Sequence, residues 1–273
     1  MILCENTVAE KLVGDRRVSF FTFIGSSRVG WHLRSKLAPG ATCALEHGGA
    51  APAIIDSSAD IDKAIPLLTK GGFYHAGQVC VSVQRIIAHK DIIGQLSERL
   101  TDSVKKLKVG DPTSPETEVG PLILPKEVDR VDSWVKAAVA AGAKLLCGGE
   151  KISDTCYAPT ILLNPPKDAE VSRKEIFGPV VCLYSYNELN EAIDFANSVD
   201  YAFQASVFSK NLDVAFEAID KLEGLAIMVN DHTAYRVDWM PFGGYKESGL
   251  GVGGIGHTLK DMMIEKMFVI NNG

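Results

Sequence analysis

Apolar and polar positions near the start of the chain predict a strand, a helix and a second strand. Residues 18–24 are mostly β-branched and aromatic and end at Gly25, which is typical of a strand. Residues 29–36 suit a helix that ends before Pro39, and residues 41–46 form a second short apolar strand. These segments follow one another closely enough for a βαβ unit, whose strands we expect to be parallel with a right-handed crossover.

The rest of the chain continues this alternation. An amphipathic helix is predicted where apolar residues recur every three or four positions with charged residues between them. Its apolar positions are Ile93, Leu96, Leu100, Val104 and Leu107. Further helices are predicted over residues 58–76, 128–142, 190–197 and 214–222, and further strands over residues 85–88, 158–163, 180–186, 206–208 and 225–229. This order of elements predicts the α/β fold class.

The C-terminal part has a different pattern. Residues 243–256 are rich in glycine, and residues 263–273 contain an apolar segment, 268–270, that is too short to stand alone as a strand. We expect such a segment to borrow the edge of a sheet. The chain has no internal repeat and no low-complexity segment.

Composition and charge narrow the class of partner. The 273 residues are 46% hydrophobic and 23% charged, which is typical of a globular chain with a proper core. The net charge is -6, and the 28 Lys and Arg are interspersed with the 34 Asp and Glu, so no basic surface for nucleic acid or an anionic membrane is predicted. No apolar run approaches the ~18 residues of a membrane-spanning helix, and the start lacks a signal-peptide pattern. We therefore expect a cytoplasmic protein that binds small molecules.

Six cysteines are scattered without the paired spacing of a disulfide framework. They are Cys4, Cys43, Cys80, Cys147, Cys156 and Cys182. A chain of this size does not need disulfides, so we expect reduced thiols. The sequence contains no C-x-x-C and no H-E-x-x-H string, and its six histidines are isolated, so no metal site is predicted.

Two short strings carry candidate chemistry. Cys80 ends the string Gly-Gln-Val-Cys at residues 77–80, a glycine-bearing turn after a predicted helix, and a thiol attacks well as the thiolate. Glu46 begins the string Glu-His-Gly-Gly at residues 46–49, at the end of an apolar strand, where a carboxylate is a candidate general base. Taken singly, a free cysteine is more often a small buried hydrophobe and a glutamate more often a solvated surface charge.

Two further strings are Gly-Ser-Ser-Arg-Val-Gly at residues 25–30 and Glu-Ile-Phe-Gly-Pro at residues 175–179. The four strings together resemble the motifs of the aldehyde dehydrogenase superfamily. The resemblance covers nearly the whole chain and implies an aldehyde-dehydrogenase-like α/β fold. It implies that Cys80 attacks an aldehyde to form a thiohemiacetal, whose oxyanion is held partly by the Cys80 backbone N–H, and then a thioester. Glu46 would activate the water that hydrolyses the thioester to a carboxylic acid.

The resemblance also implies NAD or NADP as the cofactor. Gly25 and Ser26, in a strand-to-helix turn, correspond to positions that touch the cofactor pyrophosphate, although Ile24 replaces the usual threonine of this string. Glu175 would bind the nicotinamide ribose hydroxyls, and the ring of Phe177 would lie beside the ribose and nicotinamide. The residues that usually discriminate NAD from NADP fall outside this sequence, so both stay open.

Three positions concern the surroundings of the reacting groups. His47 stands where the family string has leucine, which would alter packing or electrostatics beside the base. His232 and Arg236 lie between residues 230–231 and 241–249, which resemble stretches near the family's substrate tunnel. They are candidates for contact with an anionic or polar aldehyde, and an exposed loop is the alternative interpretation.

The resemblance implies a division into four parts. They are residues 1–45 as a remnant of the NAD(P)-binding domain, 46–248 as the catalytic domain, 249–262 as a return to the cofactor domain and 263–273 as an oligomerisation strand. Such a strand implies a dimer or tetramer of identical chains.

Family members are usually much longer. The N-terminal part of the cofactor domain is expected to be absent, and with it the asparagine that completes the oxyanion hole, a loss that costs ~10²- to 10³-fold in rate.

Three functions therefore remain open. The first is an NAD(P)-dependent aldehyde dehydrogenase that hydrolyses its thioester. The second is an acylating enzyme that passes the acyl group to coenzyme A, against which Glu46 argues because the resemblance associates this base with water. The third is a non-catalytic fragment or one half of a split enzyme, which a neighbouring reading frame for the missing half would support.

Overall fold

The computed structural model describes residues 3–273, which divide by their contacts into two compact units. The first unit runs up to His47 and resumes at Arg236, and the second unit is Gly48–Tyr235. The predicted change of domain after residue 45 lies close to the first division. Residues 236–248, which were predicted within the catalytic domain, pack with the first unit, because the chain after Tyr235 returns to the sheet that contains Glu46.

Nine helices and twelve strands lie within residues 3–273. The helices are α1 Asn6–Val13, α2 Ser27–Arg34, α3 Ile61–Phe73, α4 Ile93–Val104, α5 Pro125–Ala140, α6 Glu170–Arg173, α7 Leu189–Asn197, α8 Leu212–Lys221 and α9 Ile255–Asp261. The strands are β1 Phe20–Ile24, β2 Thr42–Glu46, β3 Ala51–Ile55, β4 Val83–His89, β5 Lys144–Cys147, β6 Thr160–Leu163, β7 Val180–Tyr186, β8 Tyr201–Ala202, β9 Gln204–Phe208, β10 Ala226–Val229, β11 Tyr245–Lys246 and β12 Gly249–Leu250. The predicted α/β class is confirmed.

The first unit contains a three-stranded sheet in the order β1, β2, β12. β1 and β2 are parallel and α2 lies between them in sequence, which confirms the predicted βαβ arrangement and its parallel pairing. β12 pairs with β2 in the antiparallel direction. The register sets Ile24, Glu46 and Gly249 abreast at one end of this sheet.

The second unit contains a seven-stranded sheet in the order β10, β9, β3, β4, β7, β6, β5. All neighbouring strands are parallel except β5 and β6, which are antiparallel. The central strands are apolar and buried, as expected for a parallel sheet. The predicted apolar stripe of α4 is confirmed, since Leu96, Leu100 and Val104 are buried in the core.

Strand β3 was not predicted, and it lies in the middle of the large sheet. Pro52 argues against a central strand because proline has no N–H to donate. In the structure the pairing of β3 with β4 shifts register between Ala51 and Pro52, so the ladder is irregular at the proline. The sequence pattern over these five residues could not reveal that a neighbouring strand would accommodate the irregularity.

The C-terminal residues after Met262 form neither helix nor strand within the described chain. Their apolar side chains are exposed, and Ile264, Phe268 and Ile270 are each at least 78% accessible. The oligomerisation strand predicted for residues 263–273 therefore stays a prediction about an assembly. No helix among residues 3–273 is long and apolar enough to cross a membrane.

Arg85 is a fully buried cation in β4 that connects two elements of the second unit. Its guanidinium donates to the carbonyl oxygens of Ala50 at 2.9 Å, of Phe195 at 3.1 Å and of Ala196 at 2.9 Å. The last two carbonyls belong to the end of α7, where the helix dipole favours a cation. Burial lowers the pKa of Arg85 to about 10. Arg85 therefore ties the start of β3 to the C-terminal end of α7.

We expect Arg85→Met to lower the free energy of unfolding by about 3 kcal/mol, because three buried carbonyls lose their donor. Urea unfolding followed by circular dichroism measures this loss. Arg99→Met is the control, since Arg99 is partly exposed and pairs with the exposed Asp62. Arg99→Met should lower the free energy of unfolding by less than about 0.5 kcal/mol. Equal effects of the two substitutions would contradict the prediction.

Candidate active site

Cys80 follows a left-handed turn that begins where α3 ends. His75, Ala76 and Gly77 all have positive φ, of 49°, 55° and 70°. Residues other than glycine rarely adopt this conformation, and such strain is typical of functional sites. The helix predicted over residues 58–76 therefore ends at Phe73, and the chain between the helix and Cys80 turns back on itself.

Gly77 is required by close packing as well as by its φ angle. A Cβ atom at this position would overlap the carbonyl group of Gly178. The turn before Cys80 is therefore seated on the backbone of the segment that carries Glu175 and Phe177. A glycine-bearing turn was predicted here, and the structure supplies the reason for the glycine.

Gln78 holds this turn to a distant loop. Its Nε2 donates to the carbonyl oxygens of His75 at 3.3 Å and of Pro121 at 3.1 Å. Its Oε1 accepts from the backbone N–H of Ile123 at 2.9 Å. Sequence reasoning quoted this glutamine as part of a string but missed its contribution, because the partner loop lies about forty residues away along the chain.

Tyr74 is a second residue that sequence reasoning missed. Its side chain is half-buried, and burial raises its pKa to about 12, with a further contribution from negative charge at Cys80. The phenol is therefore within electrostatic reach of the thiol. Tyr74 also lines a cavity of about 410 Å³ together with Phe73, Lys70 and Lys106. The sequence feature that could have revealed Tyr74 is its place six positions before Cys80.

Glu175 lies against the glycine pair that follows Glu46 and His47 in sequence. Its Oε1 accepts from the backbone N–H of Gly49 at 3.3 Å, and a Cβ atom at Gly48 would overlap the carboxyl group. Burial raises the pKa of Glu175 to about 7, against the opposing effects of the Gly49 hydrogen bond and the Arg130 charge. The carboxyl group is thus largely removed from water and is partly protonated near neutral pH.

One crevice of the second unit brings three predicted features together. It is lined by Gly77 and Val79 of the turn before Cys80, by Glu175 and by Phe177. Phe177 has a φ of 48° and remains 39% exposed. These residues are far apart in sequence, and the fold places them on the same crevice. Cys80 follows Val79 directly but does not itself line this crevice.

Glu46 lies at the end of β2 in the first unit. Its side chain is half-buried, and a Cβ atom at Gly253 would overlap the carboxyl group. Burial raises the pKa of Glu46, and the positive charge of Arg236 opposes this shift. A carboxylate with a raised pKa beside one cation suits a general base.

The two predicted substrate residues have different surroundings. Arg236 is exposed in the first unit, donates to the carbonyl oxygen of Met240 and lies 4.7 Å from the ring centroid of Phe242. His232 is only 7% exposed in the second unit, and its Nδ1 accepts from the backbone N–H of Ala234 at 3.1 Å. Burial lowers the pKa of His232. The exposed loop that was the alternative interpretation is therefore wrong for His232.

Gly25 and Ser26 lie at the start of α2 in the first unit. The N–H of Gly25 donates to the carbonyl oxygen of Glu46 at 3.1 Å. Ser26 is the N-cap residue of α2 and is exposed, and its side chain does not cap the helix. A helix N-terminus favours anionic groups, so this turn is able to receive a phosphate.

His47 occupies a packing site in the first unit. It is 1% exposed, its Nδ1 donates to the carbonyl oxygen of Glu247 at 2.8 Å, and its ring meets Trp31 edge-on at 5.5 Å. A Cβ atom at Gly30 would overlap the His47 ring. The histidine therefore joins β2 to the segment before β12. Among residues 3–273, no group of three or more His, Cys, Asp or Glu side chains is arranged to hold a metal ion.

The chain is similar to known aldehyde dehydrogenases over nearly its whole length. The sequence model of the aldehyde dehydrogenase family matches residues 2–268. A 3-sulfolactaldehyde dehydrogenase of Priestia aryabhattai is 42% identical over 264 residues, which are 97% of this chain and 55% of the relative. The structure of aldehyde dehydrogenase 21 from Physcomitrella patens, in complex with the reaction product succinate, matches with a TM-score of 0.94 at 37% identity. The match covers 98% of this chain and 56% of that one.

A third relative is archaeal. The structure of glyceraldehyde-3-phosphate dehydrogenase from Methanocaldococcus jannaschii, complexed with NADP, matches with a TM-score of 0.90 at 36% identity. The match covers 93% of this chain and 55% of that one. The chain thus spans about half the length of the relatives it matches.

Proposed function

We propose, because this chain belongs to the aldehyde dehydrogenase family, that Cys80 is the nucleophile in the oxidation of an aldehyde to a carboxylic acid. The observation that carries the proposal is the crevice shared by the turn before Cys80, Glu175 and Phe177. A strained turn that is fixed by Gln78 and seated on Gly178 is a means of holding a nucleophile in place.

Each residue has a distinct part in the proposed reaction. The Cys80 thiolate adds to the aldehyde carbonyl, and the tetrahedral oxyanion accepts a hydrogen bond from the Cys80 backbone N–H. Bound NAD or NADP would supply the acceptor for the hydride that leaves the tetrahedral carbon, and loss of this hydride converts the adduct into the Cys80 thioester. Glu46 then takes a proton from water, which attacks the Cys80 thioester and releases the carboxylic acid and the thiol.

The residues present suit a nicotinamide cofactor. The carboxyl group of Glu175 is held at a glycine pair and is suited to accept hydrogen bonds from ribose hydroxyls, and the exposed ring of Phe177 lies on the same crevice. Gly25 and Ser26 offer the N-terminus of α2 to the pyrophosphate. The archaeal relative, whose structure holds NADP, supports this assignment.

Arg236 is proposed to select an anionic aldehyde. It is exposed, and its charge reaches Glu46 within the first unit. The Priestia relative is named for a sulfonated aldehyde, and the Physcomitrella structure holds succinate. Both molecules carry a negative charge away from the reacting carbon, which a guanidinium group binds well.

We expect Arg236→Met to raise the KM for succinic semialdehyde at least tenfold and to change the KM for propionaldehyde less than about twofold, since only the former loses a charged hydrogen bond. Steady-state kinetics with both aldehydes measures the difference. Arg17→Met is the matched control, because Arg17 is an exposed arginine of the same unit whose partner is Asp15. Equal changes for the two aldehydes would contradict the assignment.

Formation of NADH or NADPH by the purified chain, with a panel of aldehydes, tests the proposed function. Turnover without coenzyme A would support the hydrolytic dehydrogenase, and turnover that requires coenzyme A would favour the acylating enzyme. If a chain shown to be folded forms no NADH or NADPH, a non-catalytic fragment or half of a split enzyme would be favoured.

We propose that the active form is a dimer or tetramer in which the exposed apolar side chains within residues 263–273 pair with another copy.

A further inference from the structure

Gln84 is buried in β4, and its side chain bonds the backbone on both sides of Glu175. Only 4% of Gln84 is exposed. Its Nε2 donates to the carbonyl oxygens of Val171 at 3.1 Å and of Lys174 at 2.7 Å. Its Oε1 accepts from the backbone N–H of Ile176 at 2.9 Å. Both donors and one acceptor site of the carboxamide are therefore used within one short segment.

The backbone of Ile176, the residue after Glu175, is held at both its N–H and its carbonyl group. Gln84 accepts from the N–H of Ile176, and Arg130 donates to the carbonyl oxygen of Ile176 at 2.7 Å. The next residue, Phe177, has a φ of 48°. The backbone is therefore locked in an unusual path at the point where two side chains enter the crevice.

Another buried glutamine of the same sheet offers a contrast. Gln204 in β9 is 2% exposed, and its Oε1 has no hydrogen-bond partner among residues 3–273. A buried carboxamide is unfavourable unless its polar groups are bonded. An apolar side chain could fill the volume of Gln84. The presence of a carboxamide at this position is therefore explained by its hydrogen bonds to the backbone of residues 171–176.

We propose that Gln84 is a positioning residue that fixes the backbone at Lys174 and Ile176 and so presents the Glu175 carboxyl group to the nicotinamide ribose. The inference rests on the proposed cofactor role of Glu175. Binding to a preorganised group avoids the entropy cost of ordering that group. Loss of the three Gln84 hydrogen bonds, here called the Gln84 clamp, therefore weakens cofactor binding. The turn before Cys80 also packs on Gly178, but its own hydrogen bonds through Gln78 hold it, so acylation of Cys80 should change less than cofactor binding.

The test compares Gln84→Met and Gln84→Glu with the matched control Gln204→Met, all in the full 273-residue chain. Methionine removes all three hydrogen bonds at similar volume, whereas glutamate keeps an acceptor for Ile176 and loses the donors. Hydrogen exchange of residues 171–177 is measured in the cofactor-free protein. NADH and NADPH fluorescence titrations give dissociation constants, and hydrolysis of p-nitrophenyl acetate reports Cys80 without cofactor.

We expect Gln84→Met to speed exchange at Ile176 at least tenfold and to raise the cofactor dissociation constant about tenfold. Gln84→Glu should have smaller effects of the same kind. The ester hydrolysis rate should stay within about twofold of wild type, because the turn before Cys80 has its own restraints. Gln204→Met should leave all three quantities unchanged.

Unchanged exchange at Ile176 in both Gln84 variants would overturn the inference, whether or not the chain binds cofactor. Parallel losses of ester hydrolysis and cofactor affinity would also overturn it, since they would show general loosening rather than positioning. If Gln84→Met does not fold, Gln84→Glu carries the same comparison. A wild-type chain that binds neither NADH nor NADPH would contradict the proposed function, and the exchange measurement would then decide on the clamp alone.

Discussion

Substitution of Cys80 by alanine is expected to abolish NAD(P)H formation and ester hydrolysis together, each by at least about 10⁴-fold. Both reactions require a covalent bond to the Cys80 sulfur. Cys156 and Cys182 are buried, and burial raises the pKa of Cys182 to about 12 and that of Cys43 above its ordinary value, so these thiols are poor nucleophiles. The effect should therefore be complete rather than graded.

The matched control for this prediction is Cys147→Ala. Cys147 is partly buried like Cys80, and burial raises its pKa, so its thiol stays protonated near neutral pH. Its removal should leave both rates within about twofold of wild type. Absorbance of NAD(P)H and of p-nitrophenolate gives the two rates. A Cys80→Ala variant with undiminished ester hydrolysis would show that another group is the nucleophile.

Substitution of Glu46 by glutamine is expected to separate the two halves of the reaction. The first hydride transfer needs the Cys80 thiolate, so a burst of NAD(P)H close to one equivalent per chain should remain. Steady-state turnover should fall by about 10²- to 10⁴-fold, because the thioester then lacks a base to activate water. Stopped-flow absorbance resolves the burst from the steady state.

The pH dependence supplies a second signature of Glu46. Its pKa is raised by burial, and a base must be ionised to accept a proton, so the steady-state rate should increase as pH rises through this raised pKa. That limb should disappear in Glu46→Gln and persist in the control Glu247→Gln, whose side chain is exposed in the same unit. A variant that loses the burst as well as turnover would place Glu46 before hydride transfer and contradict its assignment to hydrolysis.

Local patterns in the sequence were sufficient for the elements that carry the site. The β1–α2–β2 unit and the apolar stripe of α4 follow from periodicity, because each depends on residues close together in the chain. The candidate residues Cys80 and Glu46 were named from short strings, since a reactive thiol and a base need particular residue types in a particular turn or strand end.

Other features depended on partners far away in the chain. β3 was missed because Pro52 is tolerated only through an irregular pairing with β4. Helix α3 was predicted to extend to Ala76, whereas the close approach of Gly77 to Gly178 favours a left-handed turn. Neither effect has a local signature, since both arise from contacts between distant segments.

The amino-acid sequence alone determined the fold class, the family resemblance and the types of residue available for catalysis, because these depend on local periodicity and short motifs. Only the tertiary structure decided that Glu175 lies at the Gly48–Gly49 pair and that Gln84 holds the chain around it. It also decided that Arg85 is buried and bonds three backbone carbonyl groups. The physical reason is that a buried polar group acquires its partner only when distant segments fold together.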